Sequence, residues 1–463
     1  MFATTGRQRP LERTCMPDSH AHDAARGATD RRTARGSTGG PPLSLTPFHV
    51  AGVGFLLAGL LLALYQGLQE FALVPELSWL TWTHIHFVTV GAFTQLLFGT
   101  LPQVAARILD RPGPSSWAMN AGFLGLNGAL VLAWYGRAFG EPLWFDVGLG
   151  TIWLLAGWLF VVVLTMALRS DGGRARNPTV GFYLLSPFVY LLGLTLAFGL
   201  FSHGWDVPGG WYGLREAHVH ANAWGFLGLA AIGTLYDLFP RLVGTELHSK
   251  RLQRYSLPLF ALGIFPLVVG PVLGMGKTVT GVGLALYAAG YLLYVYTLAR
   301  TYLAGTSNGT ALSVLVAQGW ILGPAAFAPF ILFEVPLGIP EPWIETGALH
   351  FFFVGWALPI ALAGSLLVVR SLEWPGTDAR ASAGDGAAGL VPADSVPSVV
   401  GPWTVLAWNL AVLAVGIGFF YQEQAWSAVL HGSGYAVLLV IWGYYLLRIV
   451  DQRWRSRAHT ATA

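Results

Sequence analysis

The segment that decides the fold is REAHVHANAWGFLGLAAIGTLYDLFPRLVG, which runs from Arg215 to Gly244. It is an apolar stretch long enough to cross a bilayer, and the chain enters it through two histidines, His218 and His220. Ionisable side chains inside a membrane are costly, so such residues indicate a functional site by default. Positions i and i+2 of an α-helix lie about 200° apart around its axis and about 3 Å apart along it. One helix therefore offers a ligand to each of two neighbouring sites.

Two other segments of the chain resemble this one. The segment WTHIHFVTVGAFTQLLFGTLP at 82–102 has its histidines, its glycines and a Gly-Thr-Leu triplet at the same offsets. A weaker copy, ALHFFFVGWALPIALAGSLL, begins at Ala348, which replaces the first histidine and leaves His350 as the second. The second histidines are 134 residues apart from His86 to His220 and 130 apart from His220 to His350. A fixed period of this kind indicates a repeated architecture.

The composition is that of a polytopic membrane protein. Hydrophobic residues make up 54% of the 463 residues and charged residues only 11%, and the mean hydropathy is +0.57, which an ordinary soluble protein does not reach. Apolar runs of about 20 residues, the length of a membrane-spanning helix, lie at 47–68, 80–102, 117–136, 144–168, 180–202, 216–240, 256–275, 279–300, 311–333, 346–370, 402–421 and 427–449. We therefore predict an all-α fold with twelve transmembrane helices in three four-helix pseudo-repeats, with the histidines on the second, sixth and tenth spans.

The distribution of charge predicts the orientation in the membrane. Lys and Arg accumulate in cytoplasmic loops, and with both termini in the cytoplasm all but three of the 26 Lys and Arg lie on the inner side; the exceptions are Arg137, Arg215 and Lys277. The outer loops carry ten acidic residues, which are Glu70, Glu76, Glu141, Asp146, Asp206, Glu216, Glu334, Glu341, Glu345 and Glu423. The pI of about 9.0 therefore reflects topology and not nucleic-acid binding. We predict an integral protein of a prokaryotic plasma membrane, with its paired histidines near the outer surface.

The chain divides into five segments by composition. Residues 1–45 are predicted to be a disordered cytoplasmic tail, and residues 46–371 a ten-span core that holds the histidines. Residues 372–399 form an Ala, Gly, Pro, Ser and Asp linker that is predicted to be flexible. Residues 400–450 are the last two spans of the same bundle, and residues 451–463 a basic cytoplasmic tail.

If three repeats surround a pseudo-threefold axis, the histidine helices offer six ligand positions to three spaces between the repeats, and five of the six are histidine. One winding of the bundle pairs His84 with His220. The same winding pairs His218 with His350 and leaves His86 alone. The opposite winding pairs His86 with His218. It also pairs His84 with His350 and leaves His220 alone.

Two opposed imidazoles in an apolar bundle are natural axial ligands of a b-type haem. The single cysteine, Cys15, excludes a cysteine-ligated cluster, and the scarcity of carboxylates disfavours hard cations. We therefore predict one or two haem b groups, with the iron ligands drawn from His84, His86, His218, His220 and His350. Two other interpretations stay open, in which these imidazoles only make structural hydrogen bonds or line the path of a transporter.

The other histidines have simpler predicted roles. His49 on the first span is far in depth from the rest and is predicted to make a polar contact between helices. His431, on the twelfth span, is predicted to lie near the outer surface like the paired histidines. His248 in a basic loop, and His20 and His22 in the N-terminal tail, are predicted to be solvated.

The histidine segments resemble those of haem–copper oxidase subunit I, above all the cbb-type oxidases and nitric oxide reductases. The matching residues of the sixth span are His220, Asn222, Trp224, Gly225, Phe226, Gly233, Tyr236, Pro240 and Arg241. Close similarity covers only the second and sixth spans and, more weakly, the tenth. The resemblance implies twelve spans in three arcs, haems toward the outer face, electron transfer in a respiratory chain and reduction of O2 or NO. It also implies an electron donor of the cytochrome c or cupredoxin type at the outer face and further membrane subunits.

The chain departs from that family at the copper centre. The family's copper ligands include two adjacent histidines on the seventh span, and the seventh span here, SLPLFALGIFPLVVGPVLGMG, has no histidine. The sequence therefore predicts that copper is absent, and it does not decide whether the protein is an oxidoreductase that turns over. The chain also resembles the NnrS-type haem and copper proteins linked to nitric oxide stress, which implies a nitric oxide response or a non-catalytic gas sensor.

Overall fold

The computed structural model describes residues 43–333, 337–371 and 400–462, and this part of the chain contains helices but no strand. Most of it forms long helical segments, which are α1 (Pro47–Glu70), α2 (Leu80–Leu109), α3 (Ser116–Phe139), α4 (Pro142–Arg169), α5 (Pro178–Ala197, continued by Phe198–His203), α6 (Gly210–Val219, His220–Gly228 and Leu229–Leu242), α7 (Lys250–Val272), α8 (Gly276–Ala304), α9 (Gly309–Leu332), α10 (Glu341–His350, Phe351–Ala357 and Leu358–Ser371), α11 (Pro402–Phe420) and α12 (Ser427–Thr462).

Ten of these segments are long and apolar enough to cross a membrane. The other two, α3 and α6, have the length but are less apolar, because α3 contains Asn120 and Asn127 and α6 contains His218, His220 and Asn222. The prediction of an all-α polytopic membrane protein is confirmed at this level. At most of their ends, the predicted spans and the observed helices agree to within a few residues. Helix α12, however, continues to Thr462 through residues that were predicted to form a tail.

Several helices begin where the sequence offers a capping residue. The side chain of Ser115 accepts a hydrogen bond from the Ala118 N–H at the start of α3. Asn308 accepts one from the Ala311 N–H at the start of α9. Caps of this kind satisfy amide groups that the first turn of a helix leaves without partners. Because they fix where a helix begins, they also fix the depth of its side chains.

Helices that are neighbours in sequence pack against each other around the bundle, and α12 packs against α1. The histidine helices α2, α6 and α10 meet at its centre: Phe93 of α2 lies 6.2 Å from Phe353 of α10, between ring centroids. Trp224 of α6 lies 4.7 Å from Phe352 of α10. Among the ten apolar segments α2 and α10 are the most buried. In their most apolar 18-residue stretches, 61% and 72% of the residues, respectively, lie inside the protein. The histidines are therefore carried by the most enclosed part of the bundle.

The glycines that repeat after the histidines are explained by close helix packing. Each first glycine faces a side chain of the preceding helix: Gly91 faces Phe55, Gly225 faces Val189 and Gly355 faces Trp320. A Cβ atom at Gly91 would lie 2.7 Å from the Phe55 ring, closer than real Cβ contacts come. The late glycine of the third copy, Gly364, has no atom of the described residues within 4 Å of such a Cβ. The weaker third match in sequence thus corresponds to a looser contact in the structure.

An ion pair joins α2 and α6 at the end of the bundle opposite the histidines. The Arg107 guanidinium is paired with the Asp237 carboxylate, and both side chains are mostly buried, at 15% and 17% exposure. Arg241 approaches the other oxygen of Asp237 at 3.3 Å. Asp237 is thus held by two arginines.

Arg107→Ala is expected to destabilise the bundle by about 3 kcal/mol, because removing one partner leaves a largely buried carboxylate under-compensated. The matched control is Arg174→Ala, which breaks the pair with Asp110, whose side chains are 44% and 42% exposed; exposed pairs contribute only about 0–1 kcal/mol. Thermal unfolding of both variants in the same detergent is the measurement. Equal shifts in Tm for the two variants would contradict this role for Arg107.

The predicted linker at 372–399 and most of the predicted N-terminal tail lie outside the described residues.

Candidate cofactor site among the histidine helices

The three histidine helices share a local distortion. Each changes from α-helix to π-helix beside its second histidine, over Phe87–Thr94 in α2, His220–Gly228 in α6 and Phe351–Ala357 in α10. A π-helical turn contains an extra residue and changes the direction of the side chains around it, and such turns are frequent at functional sites. The His-x-His geometry expected for a regular α-helix is therefore modified where the histidines lie.

A large cavity lies between these helices. Its volume is about 670 Å³, and three of the five candidate histidines line it: His86, His218 and His220. Its body is apolar and aromatic, with Phe93 and Phe353 among the lining side chains. Cofactor pockets typically measure about 300–1,000 Å³ and are mostly apolar with a few placed polar groups. In size and lining this cavity is therefore of the kind that holds a cofactor.

Hydrogen bonds to the backbone orient the histidines of the cavity. The Nδ1 atom of His218 lies 2.9 Å from the Gly193 carbonyl oxygen of α5. That of His220 lies 2.8 Å from the Leu267 carbonyl oxygen of α7. Because a carbonyl only accepts, Nδ1 is the donor in each case and Nε2 carries the lone pair. This arrangement is typical of histidines that bind a metal through Nε2.

His86 is oriented by its own helix. Its Nδ1 donates to the Trp82 carbonyl oxygen at 2.7 Å, and its ring stacks on the Trp82 indole with centroids 4.0 Å apart. His86 and His218 line the same cavity, and the Phe201 ring packs edge-on against His218 with ring centroids 6.2 Å apart. The cavity therefore receives one oriented imidazole from α2 and one from α6.

His84 and His350 form a second pair, which is not part of the cavity lining. Their ring centroids are 6.4 Å apart and the ring planes differ by 15°. His84 donates from Nδ1 to the Gly59 carbonyl oxygen of α1 at 2.8 Å. His350 donates to the carbonyl oxygen of Thr346 at 2.6 Å. Both rings thus have Nδ1 occupied and Nε2 without a hydrogen bond among the described residues.

The structure selects one of the two pairings that the sequence left open. His84 lies with His350, and His86 and His218 line one cavity, as the second winding predicts. His220 makes no ring or electrostatic contact with another histidine among the described side chains. The position two residues before His350, Ala348, also lines the cavity. The two histidines of α2 serve different spaces, as the spacing predicts, whereas both histidines of α6 border the one cavity that extends around that helix.

The mouth of the cavity is charged. Arg215 and Glu345, both lining residues, form an ion pair. The Arg215 guanidinium also lies 5.5 Å from the ring centroids of both Trp211 and Tyr212. Glu216 lines the same region. An apolar body with a charged mouth suits an amphipathic ligand, whose charged groups stay near the membrane surface.

Sequence reasoning missed the carbonyls that orient the rings, although a signal was present. Gly59 and Gly193 each precede their histidine by 25 residues, and Gly323 precedes Ala348 by the same interval. A glycine at this offset lets the neighbouring helix come close enough to present a carbonyl to the ring. The spacing was visible in the sequence, but its purpose depends on helix contacts that a period alone does not specify.

The isolated histidines behave as predicted where the structure describes them. His49 approaches the Thr100 hydroxyl through Nε2 at 3.1 Å, which is a polar contact between α1 and α2. His248 is exposed in the loop before α7. His20 and His22 lie outside the described residues.

The donor set fits a haem or another metal that prefers imidazole. Nε2 of His84 and Nε2 of His350 make no hydrogen bond among the described residues, and the two ring centroids lie 6.4 Å apart, so both rings could serve as ligands. In the cavity, neutral imidazoles with oriented rings are surrounded by aromatic and aliphatic side chains, which suits the apolar faces of a porphyrin.

The comparisons with known proteins do not identify a family. The chain matches no protein-family model and has no significant match among curated protein sequences.

Proposed function

We propose that this protein is a membrane haem protein whose cavity holds a b-type haem between His86 and His218. One observation carries the proposal: three histidines with Nδ1 bound to backbone carbonyls line a single apolar cavity of about 670 Å³. A transport path would not require fixed imidazole tautomers, whereas metal ligation does.

The proposal includes twelve spans in three related groups of four, as in haem–copper oxidase subunit I. Three features support this arrangement. The π-helical stretches recur on α2, α6 and α10. The first repeated glycine meets α1, α5 and α9 in turn. The bonds from His84 to Gly59 and from His218 to Gly193 have the same offset in the chain.

The residues of the site have distinct roles in this proposal. His86 and His218 would hold the haem iron, and the Trp82 ring and the Gly193 carbonyl hold those two imidazoles in place. His84 and His350 would hold a second metal centre, which makes two haem groups the fullest loading of the chain. The aromatic lining gives the haem an apolar surrounding. When bound, haem iron supplies one-electron redox chemistry and, where a coordination position is free, binds a diatomic gas.

The ligation of the cavity haem would decide between simple electron transfer and gas chemistry. A haem held by both His86 and His218 would suit electron transfer. The same haem held instead by His220 alone would be able to bind O2 or NO. The proposed function is electron transfer in a respiratory chain, with reduction or sensing of one of these gases at His220.

The proposed location is a prokaryotic plasma membrane, with both termini in the cytoplasm and the histidines toward the outer side. The acidic outer loops would attract a basic electron carrier of the cytochrome c or cupredoxin type. This placement rests on the charge asymmetry of the sequence. Further membrane subunits belong to the same proposal.

Oxidised and dithionite-reduced absorption spectra of the purified protein test the proposal. We expect sharp reduced bands of a b-type haem, and a partial shift of those bands on CO addition if His220 holds an open centre. Reduced bands that CO leaves unchanged would limit the function to electron transfer. A protein that stays colourless after haem reconstitution would overturn the proposal in favour of a transport path.

A further inference from the structure

The large cavity continues beyond the proposed haem position, around α6 to the helices α8 and α9. We call this part the α9 chamber, and its walls include His220, Trp224, Tyr287, Leu292, Leu322 and Phe327. The Trp224 indole of α6 meets the Tyr287 ring of α8 edge-on, with ring centroids 6.0 Å apart. A haem between His86 and His218 uses none of these residues, so the α9 chamber is available for a second ligand.

The α9 chamber reaches the outside of the protein halfway along two membrane-crossing helices. Leu292 of α8 and Leu322 of α9 line the cavity, yet these residues are 61% and 50% exposed. They lie near the middle of their helices, Gly276–Ala304 and Gly309–Leu332. The middle of a membrane-spanning helix is surrounded by lipid tails and not by water. The chamber therefore opens toward the bilayer between α8 and α9.

Helix α9 forms a wall of this opening, and the second half of α9 is loosely packed. It belongs to the least buried of the ten apolar segments, and within Leu322–Leu332 only Pro324 is buried. A 3-10 turn over Gln318–Ile321 separates this half from the first half of the helix. The turn is anchored, because the Tyr291 hydroxyl donates to the Gln318 carbonyl oxygen at 2.8 Å. A 3-10 turn within a helix often marks a hinge, so the second half of α9 is the part of the wall able to move.

The polar groups of the α9 chamber favour a neutral ligand that donates a hydrogen bond. Nδ1 of His220 donates to the Leu267 carbonyl oxygen, so Nε2 is an acceptor, and it makes no hydrogen bond among the described residues. The charged residues of the cavity lining, Arg215, Glu216 and Glu345, lie near the starts of α6 and α10, whereas the opening lies near the middle of α8 and α9. An ion without a partner is costly to bury, but a hydroxyl group would be satisfied by Nε2.

The remaining walls favour an aromatic ring with an apolar chain. Trp224, Tyr287 and Phe327 contribute aromatic side chains to the lining, and aromatic rings pack favourably edge-to-face or offset. The Tyr287 hydroxyl already donates to the Trp224 carbonyl oxygen at 2.9 Å. His220 is therefore the acceptor left for a ligand hydroxyl, and Leu292 and Leu322 border the way out for an apolar chain.

We infer that the α9 chamber binds a neutral phenolic lipid, a molecule with a hydroxylated aromatic ring and an apolar chain, which enters from the bilayer between α8 and α9. The ring hydroxyl donates to Nε2 of His220, and the chain extends past Leu292 and Leu322 into the bilayer. This site goes beyond the proposed function. A phenol and an iron atom exclude each other at Nε2 of His220, so the inference is compatible with a haem held by His86 and His218 and does not require one.

Binding of para-decylphenol and of its methyl ether tests the inference. The full-length protein is placed in lipid nanodiscs, and binding of each radiolabelled probe is measured against empty nanodiscs of the same lipid. The two probes differ only in the hydroxyl donor. We expect the wild type to bind the phenol about fivefold or more tightly than the ether, because the ether loses one buried hydrogen bond. His220→Phe, which keeps a ring but has no acceptor, is expected to bind both probes equally.

Two neighbouring alanines of α9 supply a matched pair of variants. Ala325 lines the cavity, whereas Ala326 is exposed and is not among the lining residues. Ala325→Phe is expected to weaken the binding of the phenol by about tenfold, because the added ring occupies space that the ligand needs. Ala326→Phe should leave the affinity of the wild type unchanged.

Equal affinity of the wild type for the two probes would overturn the inference, and so would an unchanged preference for the phenol in His220→Phe. If His220→Phe fails to fold, the alanine variants decide, because equal effects of Ala325→Phe and Ala326→Phe would place the phenol outside the chamber. A colourless protein that still prefers the phenol would reject the proposed function and retain this inference, so the two fail separately.

Discussion

His218→Ala is expected to lower the haem content of the cavity by at least about tenfold, since even residues that only support a metal ligand contribute 10- to 100-fold to affinity. His218 presents a fixed Nε2 to the cavity, and its Nδ1 bond to Gly193 has no substitute in the variant. His86→Ala should have a similar effect. Haem content is measured as the pyridine haemochrome per polypeptide after purification under identical conditions.

The double variant of His86 and His218 separates shared ligation from independent structural roles. If one haem needs both rings, removing the second ring should cost much less than removing the first, as for residues that act as a unit. His248→Ala is the matched control. If the fold losses in haem content of the two single variants multiply in the double variant, the two histidines do not bind the same group.

His350→Ala is expected to remove a second centre and to leave the cavity haem in place. His350 and His84 are not among the residues that line the cavity, so the two pairs should be lost separately. The reduced-minus-oxidised spectrum of His350→Ala should retain the component that His218→Ala lacks, and His84→Ala should behave like His350→Ala. EPR spectra of the oxidised variants would follow the same two components.

Either of two outcomes would contradict this assignment. Loss of all colour in His350→Ala, with a folded protein by thermal unfolding, would mean that one centre uses residues of both pairs. A spectrum identical to that of the wild type would mean that the pair of His84 and His350 is structural.

The sequence was sufficient for the helical class and for choosing five candidate histidines, because apolar length and a period of 130–134 residues do not depend on tertiary detail. It was not sufficient for their pairing. The positions of His84 and His86 around the helix allow either winding of the repeats, and only the contact of His84 with His350 distinguishes the two. The number of spans also stays a proposal, since α3 and α6 are less apolar than the other helices.

The details that orient the site were beyond sequence reasoning for physical reasons. The π-helical turns of α2 and α6 contain Gly91 and Gly225, which lie against Phe55 and Val189 of the preceding helices, and such contacts are not specified by local propensity. The contact of His431 with Glu70 depends on α1 and α12 being adjacent, although they are the first and last helices of the bundle. The two residues are more than 360 positions apart in the chain, a separation that no local pattern connects.

The most direct test of the central claim is the ratio of haem to polypeptide in the purified wild-type protein. The proposal predicts at least one b-type haem per chain, rising toward two when haem supply during expression is not limiting. A ratio near zero in folded protein, unchanged by reconstitution with haem, would contradict it.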